Sequence, residues 1–239
     1  MIHASKAGLA VAACLFVSVA AAQSNNSFPK MPVDAKTVRV QTQAEEVYNR
    51  TDYKRAFFIY RNELAPIGDK YGQYMVGFMY LTGKGVEEDR IAASAWYRLA
   101  AERDTKEFVK VRDQVMRSLD DVERAESDRQ FIELRKEYSD LILLVRAIRE
   151  DYDELGERTG SRLSAGGSRL STSRPVVVVD MGGSGSSGTE YYSSIQRRLQ
   201  ARLDYIAEHE DLNVPKEDIE GFNIRAIERH IEAYLERLD

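Results

Sequence analysis

Cysteine is almost missing from this chain of 239 residues: the single one, Cys14, stands near the start. An internal disulfide is excluded, and thiol chemistry is not expected because Cys14 lies in an export-like segment expected to be removed. Histidine is nearly as scarce, with His3, His209 and His230. There is no His-Glu-x-x-His pair, no phosphate-cradling Gly-x-x-x-x-Gly-Lys loop and no Gly-x-Ser-x-Gly elbow. No catalytic, cofactor-binding or metal-ligating residue is therefore expected. His209 is flanked by Glu208, Glu210 and Asp211, but adjacent residues of a helix point in different directions and cannot converge on one ion. An excess of positive charge is also absent: 34 Lys and Arg stand against 39 Asp and Glu, a formal net charge of -5. A nucleic-acid partner is not expected from such a balance. Nor does any apolar run reach the roughly 20 residues that span a bilayer.

The beginning has the form of an export signal. A short positive start ending at Lys6 precedes the apolar stretch Ala7 to Val19, and Ala20-Ala21-Ala22 offers a cleavage site before Gln23. Residues 1–22 are expected to be removed and the remainder to lie in the periplasm, or outside the cell as an alternative, without stable membrane insertion. Cys14 as a lipidated residue fits less well, because Leu15-Phe16-Val17 continue the apolar run past it. Residues 23–44 are polar, contain Pro29 and Pro32, and are expected to be a spacer before a folded region that begins near Glu45.

From Glu45 to Thr105 apolar residues recur at helical spacing: Tyr53, Phe57, Tyr60 and Leu64, then Tyr74, Phe78 and Leu81, then Ile91, Ala95 and Leu99. Ala56, Ile59 and Tyr60 correspond to Ala93, Trp96 and Tyr97 at a common offset, a period typical of helical solenoids. Within Gly68 to Ala101, Gly77, Tyr80, Gly83, Gly85, Val86, Asp89, Ala93, Trp96, Tyr97, Ala100 and Ala101 follow in the order of one known pattern. The stretch resembles the Sel-one-like repeat, a relative of the tetratricopeptide repeat. Departures are Gly72 in place of Ala, Val76 in place of Leu, and Asp104 in place of the Gly that opens a following repeat. The resemblance implies a pair of packed helices and protein binding. Some bacterial relatives are linked to cell-wall fragments or β-lactam hydrolysis, and that is the alternative it carries. Tyr71, Gln73, Tyr74 and Arg98 are the expected partner surface, envelope proteins the expected partners, and no cofactor is expected.

Phe108 to Leu119 and Asp120 to Arg135 resemble the helical pair that closes such arrays, completing a repeat region over 45–136. Phe131, Leu134, Tyr138, Leu141, Val145, Ile148, Tyr152 and Leu155 alternate spacings of three and four, the seam of a coiled coil. One long helix over 131–155 is predicted, packed on the repeat or forming a homodimer through Phe131 to Leu155. Residues 156–189 read as a disordered linker, with eight glycines and eight serines between 156 and 188 and the arginines 158, 162, 169 and 174. Those arginines could meet an anionic surface. A Val176 to Val179 run before Asp180 and glycines has the outline of a phosphate loop, but lacks the surrounding sheet such a loop needs. Residues 190–239 form a predicted helical hairpin on Ile195, Leu199, Leu203 and Ile206, then Ile224, Ile227, Ile231, Leu235 and Leu238, broken near Pro215. The predicted class is all-α: a short α/α solenoid, a long helix, the linker and the hairpin.

Overall fold

The computed structural model describes residues 35–159 and 186–237, and every regular element among them is helical. The export segment, the spacer up to residue 34, most of the linker and its valine run lie outside the described residues. The chain divides into two compact units, Met1–Leu143 and Leu144–Asp239.

In the first unit, α1 covers Ala35–Asn49 and α2 Tyr53–Ile59. The expected spacer 23–44 is thereby corrected: its last ten residues are helical, and Gln41 and Ala44 are buried along with Val47. Their i, i+3, i+6 spacing puts all three on the face packed against α2. The intervening turn uses Thr51 at φ 63°, and Asp52 caps α2 by accepting from the Arg55 amide at 3.3 Å. Past Ile59 the helix widens into a π-turn, Tyr60–Leu64, and then tightens into the 3-10 turn Ala65–Ile67. Pro66 has no N–H to offer the Asn62 carbonyl and its ring crowds it, so the regular ladder cannot continue.

Gly68 at φ 76° ends that segment, and Asp69 caps α3, Lys70–Thr82, through the Gly72 amide at 2.6 Å. Gly83 at φ 63° ends α3. Asp89 opens α4, Arg90–Ala100, accepting from the amides of Ile91 and Ala92, both at 2.9 Å. A 3-10 turn, Ala101–Arg103, leads to Asp104 at φ 53°, so the residue standing where the repeat pattern has Gly does carry the left-handed conformation. Next come α5, Lys106–Ser118, and α6, Asp121–Tyr138, the latter opened by a capping box between Asp120 and Glu123. Helix α1 thus pairs with α2 and α3 with α4, while α5 and α6 each pack on α4.

Two glycines set how closely the helices approach. A Cβ on Gly77 would stand 3.2 Å from the Ala93 carbonyl and the Tyr97 ring, so α3 and α4 touch almost backbone to backbone. A Cβ on Gly85, at φ 78°, would lie 2.2 Å from the Tyr53 carbonyl, so this turn presses on the first residue of α2. Trp96, Tyr97, Leu99, Ala100 and Ala101 complete the interior with Ala93.

The long helix over 131–155 is not continuous, which corrects the second expectation. Ser139 adopts an extended conformation, its N–H finishing α6 on the Arg135 carbonyl while its own carbonyl accepts from the Leu143 amide at 3.0 Å. Its hydroxyl accepts from the Ile142 amide at 3.4 Å and opens α7, Asp140–Thr159. Serine favours such ends because its side chain replaces the missing helical partner. Within the seam Tyr138, Val145 and Ile148 are already buried inside the chain. Phe131, Leu134, Leu141, Tyr152 and Leu155 of the same seam stay partly exposed.

The second unit contains the rest of α7, then α8, Ser186–Glu208, the 3-10 turn Glu210–Leu212, the short α9, Lys216–Glu220, and α10, Ile224–Arg237. Leu144 and Ile148 of α7, Ile195, Leu199, Leu203 and Ile206 of α8, and Ile227, Ile231 and Leu235 of α10 are buried. Pro215 stands just before α9, where a missing N–H costs nothing.

Candidate interaction surface

Three of the four residues expected to face a partner lie inside the first unit. Tyr74 is fully enclosed, its ring 5.3 Å from Tyr97 and 5.0 Å from Phe108, while Tyr71 packs between Tyr60 at 6.4 Å and Tyr74 at 6.3 Å. Burial holds the phenols of Tyr60, Tyr71, Tyr74 and Tyr97 well above the ordinary tyrosine value, so they stay neutral core rings. Gln73 is buried too, donating to the carbonyls of Ala65 at 3.3 Å and Tyr138 at 3.4 Å. The reason for the correction is helix α3 itself, which is covered on nearly every side over Lys70 to Gly77. Only Arg98 remains half-exposed, paired with Asp128 at 2.5 Å and lying 4.1 Å above the Phe131 ring.

Beside Gln73 lies an ion cluster that sequence reading missed. Lys70 is 1% exposed, and its Nζ donates to Gln73 Oε1 at 3.1 Å, the Leu99 carbonyl at 3.2 Å and Glu102 Oε2 at 2.7 Å, with Asp140 Oδ1 at 3.1 Å. Arg103 grips the same Asp140 carboxylate with two bonds, 2.7 and 2.9 Å, and donates to the Gly68 carbonyl at 3.1 Å. Glu102 in turn accepts from the Asp140 amide at 3.1 Å, closing the first turn of α7. Two cations and two anions balance, and nearly every polar atom has a partner, the condition for tolerating charge away from water. Burial raises both carboxyls; for Asp140, Lys70 and Arg103 outweigh it and hold the group below its ordinary range, whereas Glu102 stays raised, with Asp140 adding to the burial effect against Lys70. A lysine so thoroughly hydrogen-bonded is neither a free nucleophile nor a base. The cluster is a clasp. The only cue in sequence is the adjacent Glu102-Arg103 pair at a helix end, which does not say that Lys70 or Asp140 will meet it.

One open surface among the described residues lies at the turn after α3. Tyr80, Val86, Glu87, Glu88, Asp89, Arg90, Ile91 and Glu123 line a shallow depression of about 530 Å³. Tyr80 sets its floor through an edge-to-face contact with Phe57 at 5.3 Å, and Arg90 reaches Glu123 at 3.7 Å and the Ser118 carbonyl at 2.5 Å. Acidic and apolar groups meet there, with no nucleophile held against a base. Tyr80, Val86 and Asp89 were read from the sequence as repeat framework, and they serve as framework and lining together.

In the second unit Asp151, 3% exposed, accepts from Arg198 at 2.8 Å and closely from Arg202, which also donates to the Ala147 carbonyl at 2.9 Å. His209 lies on the surface with Nδ1 2.7 Å from the Tyr205 carbonyl. Among the described residues no group of three or more His, Cys, Asp or Glu could hold a metal ion, and no helix is long and apolar enough to cross a membrane. Compared with known proteins, the chain matches no family model, no curated protein and no solved structure.

Proposed function

We propose that this chain is a non-enzymatic adaptor of the bacterial periplasm, built on Sel-one-like helical pairs that stack as a short solenoid and hold envelope proteins. The observation that carries the reading is the use made of the repeat residues. Gly77 lets α3 meet α4, Gly85 lets the next turn meet α2, and Asp89 caps α4, so each does the physical work a stacked α/α repeat requires. The export-like start supplies the compartment. A binding role fits the chemistry available: the buried charges are consumed in clasps, while the depression from Tyr80 to Glu123 offers acids and apolar side chains together to a partner segment of complementary, basic character.

Photoreactive residues placed at Glu87, Glu88 and Val122, all exposed, test this in intact cells. The adaptor reading predicts one recurrent protein adduct from the Glu87 and Glu88 positions. Adducts with no protein from any of the three positions would contradict it.

A further inference from the structure

Three aromatic rings close on one ammonium group at the turn between α3 and α4. Lys84 Nζ stands 5.1 Å from the ring centroid of Tyr48, 5.1 Å from that of Tyr53 and 5.4 Å from that of Phe78, and it donates to the Tyr48 hydroxyl at 2.7 Å. The walls are not parallel: Tyr48 and Tyr53 are 5.1 Å apart and inclined by 60°, Tyr48 and Phe78 6.4 Å apart and inclined by 59°. Each ring comes from a different helix, α1, α2 and α3, and each is half-buried, so the box has an open side. The negative faces of such rings attract a cation most strongly where water is partly excluded.

Lys84 is not needed to shape the turn that carries it. Gly83 already ends α3 at φ 63°, the Lys84 amide donates to the Met79 carbonyl at 3.0 Å, the Asp89 amide donates to the Tyr80 carbonyl at 3.0 Å, and Gly85 is wedged against Tyr53. With the backbone fixed by these contacts, the lysine side chain can leave by bond rotation alone. Glu87 and Glu88 are exposed on the same turn, and Glu88 packs beside Gly83. These carboxylates draw cations toward the open side.

We infer that Tyr48, Tyr53 and Phe78 form a binding site for an alkylammonium group, which Lys84 fills from within the chain until a ligand's ammonium displaces it. The tether makes Lys84 a competitor at high local concentration, so the site responds only to a cation that is itself presented strongly. A free quaternary amine and the lysine of a bound protein share this chemistry. The quaternary amine relies on the rings, whereas a primary ammonium also uses the Tyr48 hydroxyl.

The test titrates tetramethylammonium and Nα-acetyl-lysine amide separately onto the full chain and onto Lys84→Ala, following the ring signals of Tyr48, Tyr53 and Phe78 by NMR. Lys84→Ala should bind a probe saturably and about tenfold or more tightly than the unchanged chain, the tethered competitor being gone. Adding Tyr53→Leu to Lys84→Ala should abolish that binding. Tighter binding of tetramethylammonium assigns the box to free quaternary amines, and tighter binding of the lysine probe to protein lysines. No saturable binding by folded Lys84→Ala, or equal affinity with and without Lys84, overturns the proposal. Circular dichroism checks the fold, and Lys84→Gln replaces the alanine variant in the same titration if that variant unfolds.

Discussion

The two units place charge in their interiors in opposite ways. In the first, two cations and two anions meet, Lys70 is sealed from water, and the two guanidinium bonds of Arg103 saturate Asp140. In the second, Asp151 accepts from two arginines whose side chains are 36% and 15% exposed, and the Glu150 carboxylate also acts on Arg202. The first set is closed off from water by its own partners, while the arginines of the second keep part of their charge in solvent. The difference says where rigidity is concentrated: the first unit ties the α2–α3 loop, the end of α4 and the start of α7 with one cluster, whereas the second ties one turn of α7 to α8.

The sharpest way to break this contrast is Asp140→Ala, which leaves Lys70 and Arg103 with no carboxylate but Glu102. It should cost about 4 kcal/mol in denaturant unfolding followed in the first unit. Gly85→Ala comes next: a side chain at φ 78° and 2.2 Å from the Tyr53 carbonyl forces the turn off α2, at about 3 kcal/mol in the same measurement. Asp151→Ala should cost less, about 2 kcal/mol read from the second unit, because its arginines can recover water. An equal or larger loss than at Asp140 would erase the distinction between the two clusters.

The pH response sharpens the comparison with the smallest effect. Asp140, held below its ordinary value of 3.8, contributes stability that is present above that value and is lost as pH falls through its lower folded value. Glu102, raised above 4.5, has the opposite sign: the folded state favours its protonated form, so stability declines as pH rises through its folded value. Relative to Glu102→Gln, the unchanged chain should therefore gain stability as pH is lowered from 7 toward 4.5 in urea midpoints. A relative loss over that window would reverse the assignment.

Much of the α3/α4 pair was legible in the sequence, because glycines at turns, an aspartate cap and small residues beside Trp96-Tyr97 are local requirements with few substitutes. The all-α class and the apolar stripes of α8 and α10 were legible for the same reason, through helical periodicity. Helix α1 was not, since its inward face includes Gln41, a polar residue that is buried only because Asp69, far along the chain, accepts its amide hydrogen. The break at Ser139 was hidden by apolar spacing that runs through it unchanged. The surface role expected of Tyr71, Gln73 and Tyr74 failed because exposure on a helix depends on what packs against it. The clasp around Lys70 joins residues about 30 to 70 positions apart, a juxtaposition that no local pattern records.

The central structural claim is that α1 pairs with α2, joins the core of the first unit and shares the stability of the α3/α4 pair. Hydrogen exchange on the intact chain tests it directly, comparing amides near Ala44 and Val47 with those near Ala93 to Leu99. The account predicts that both sets exchange slowly and lose protection together as denaturant is added. Free exchange across α1 while α4 stays protected would contradict it, and would return the start of the folded region to the vicinity of Glu45.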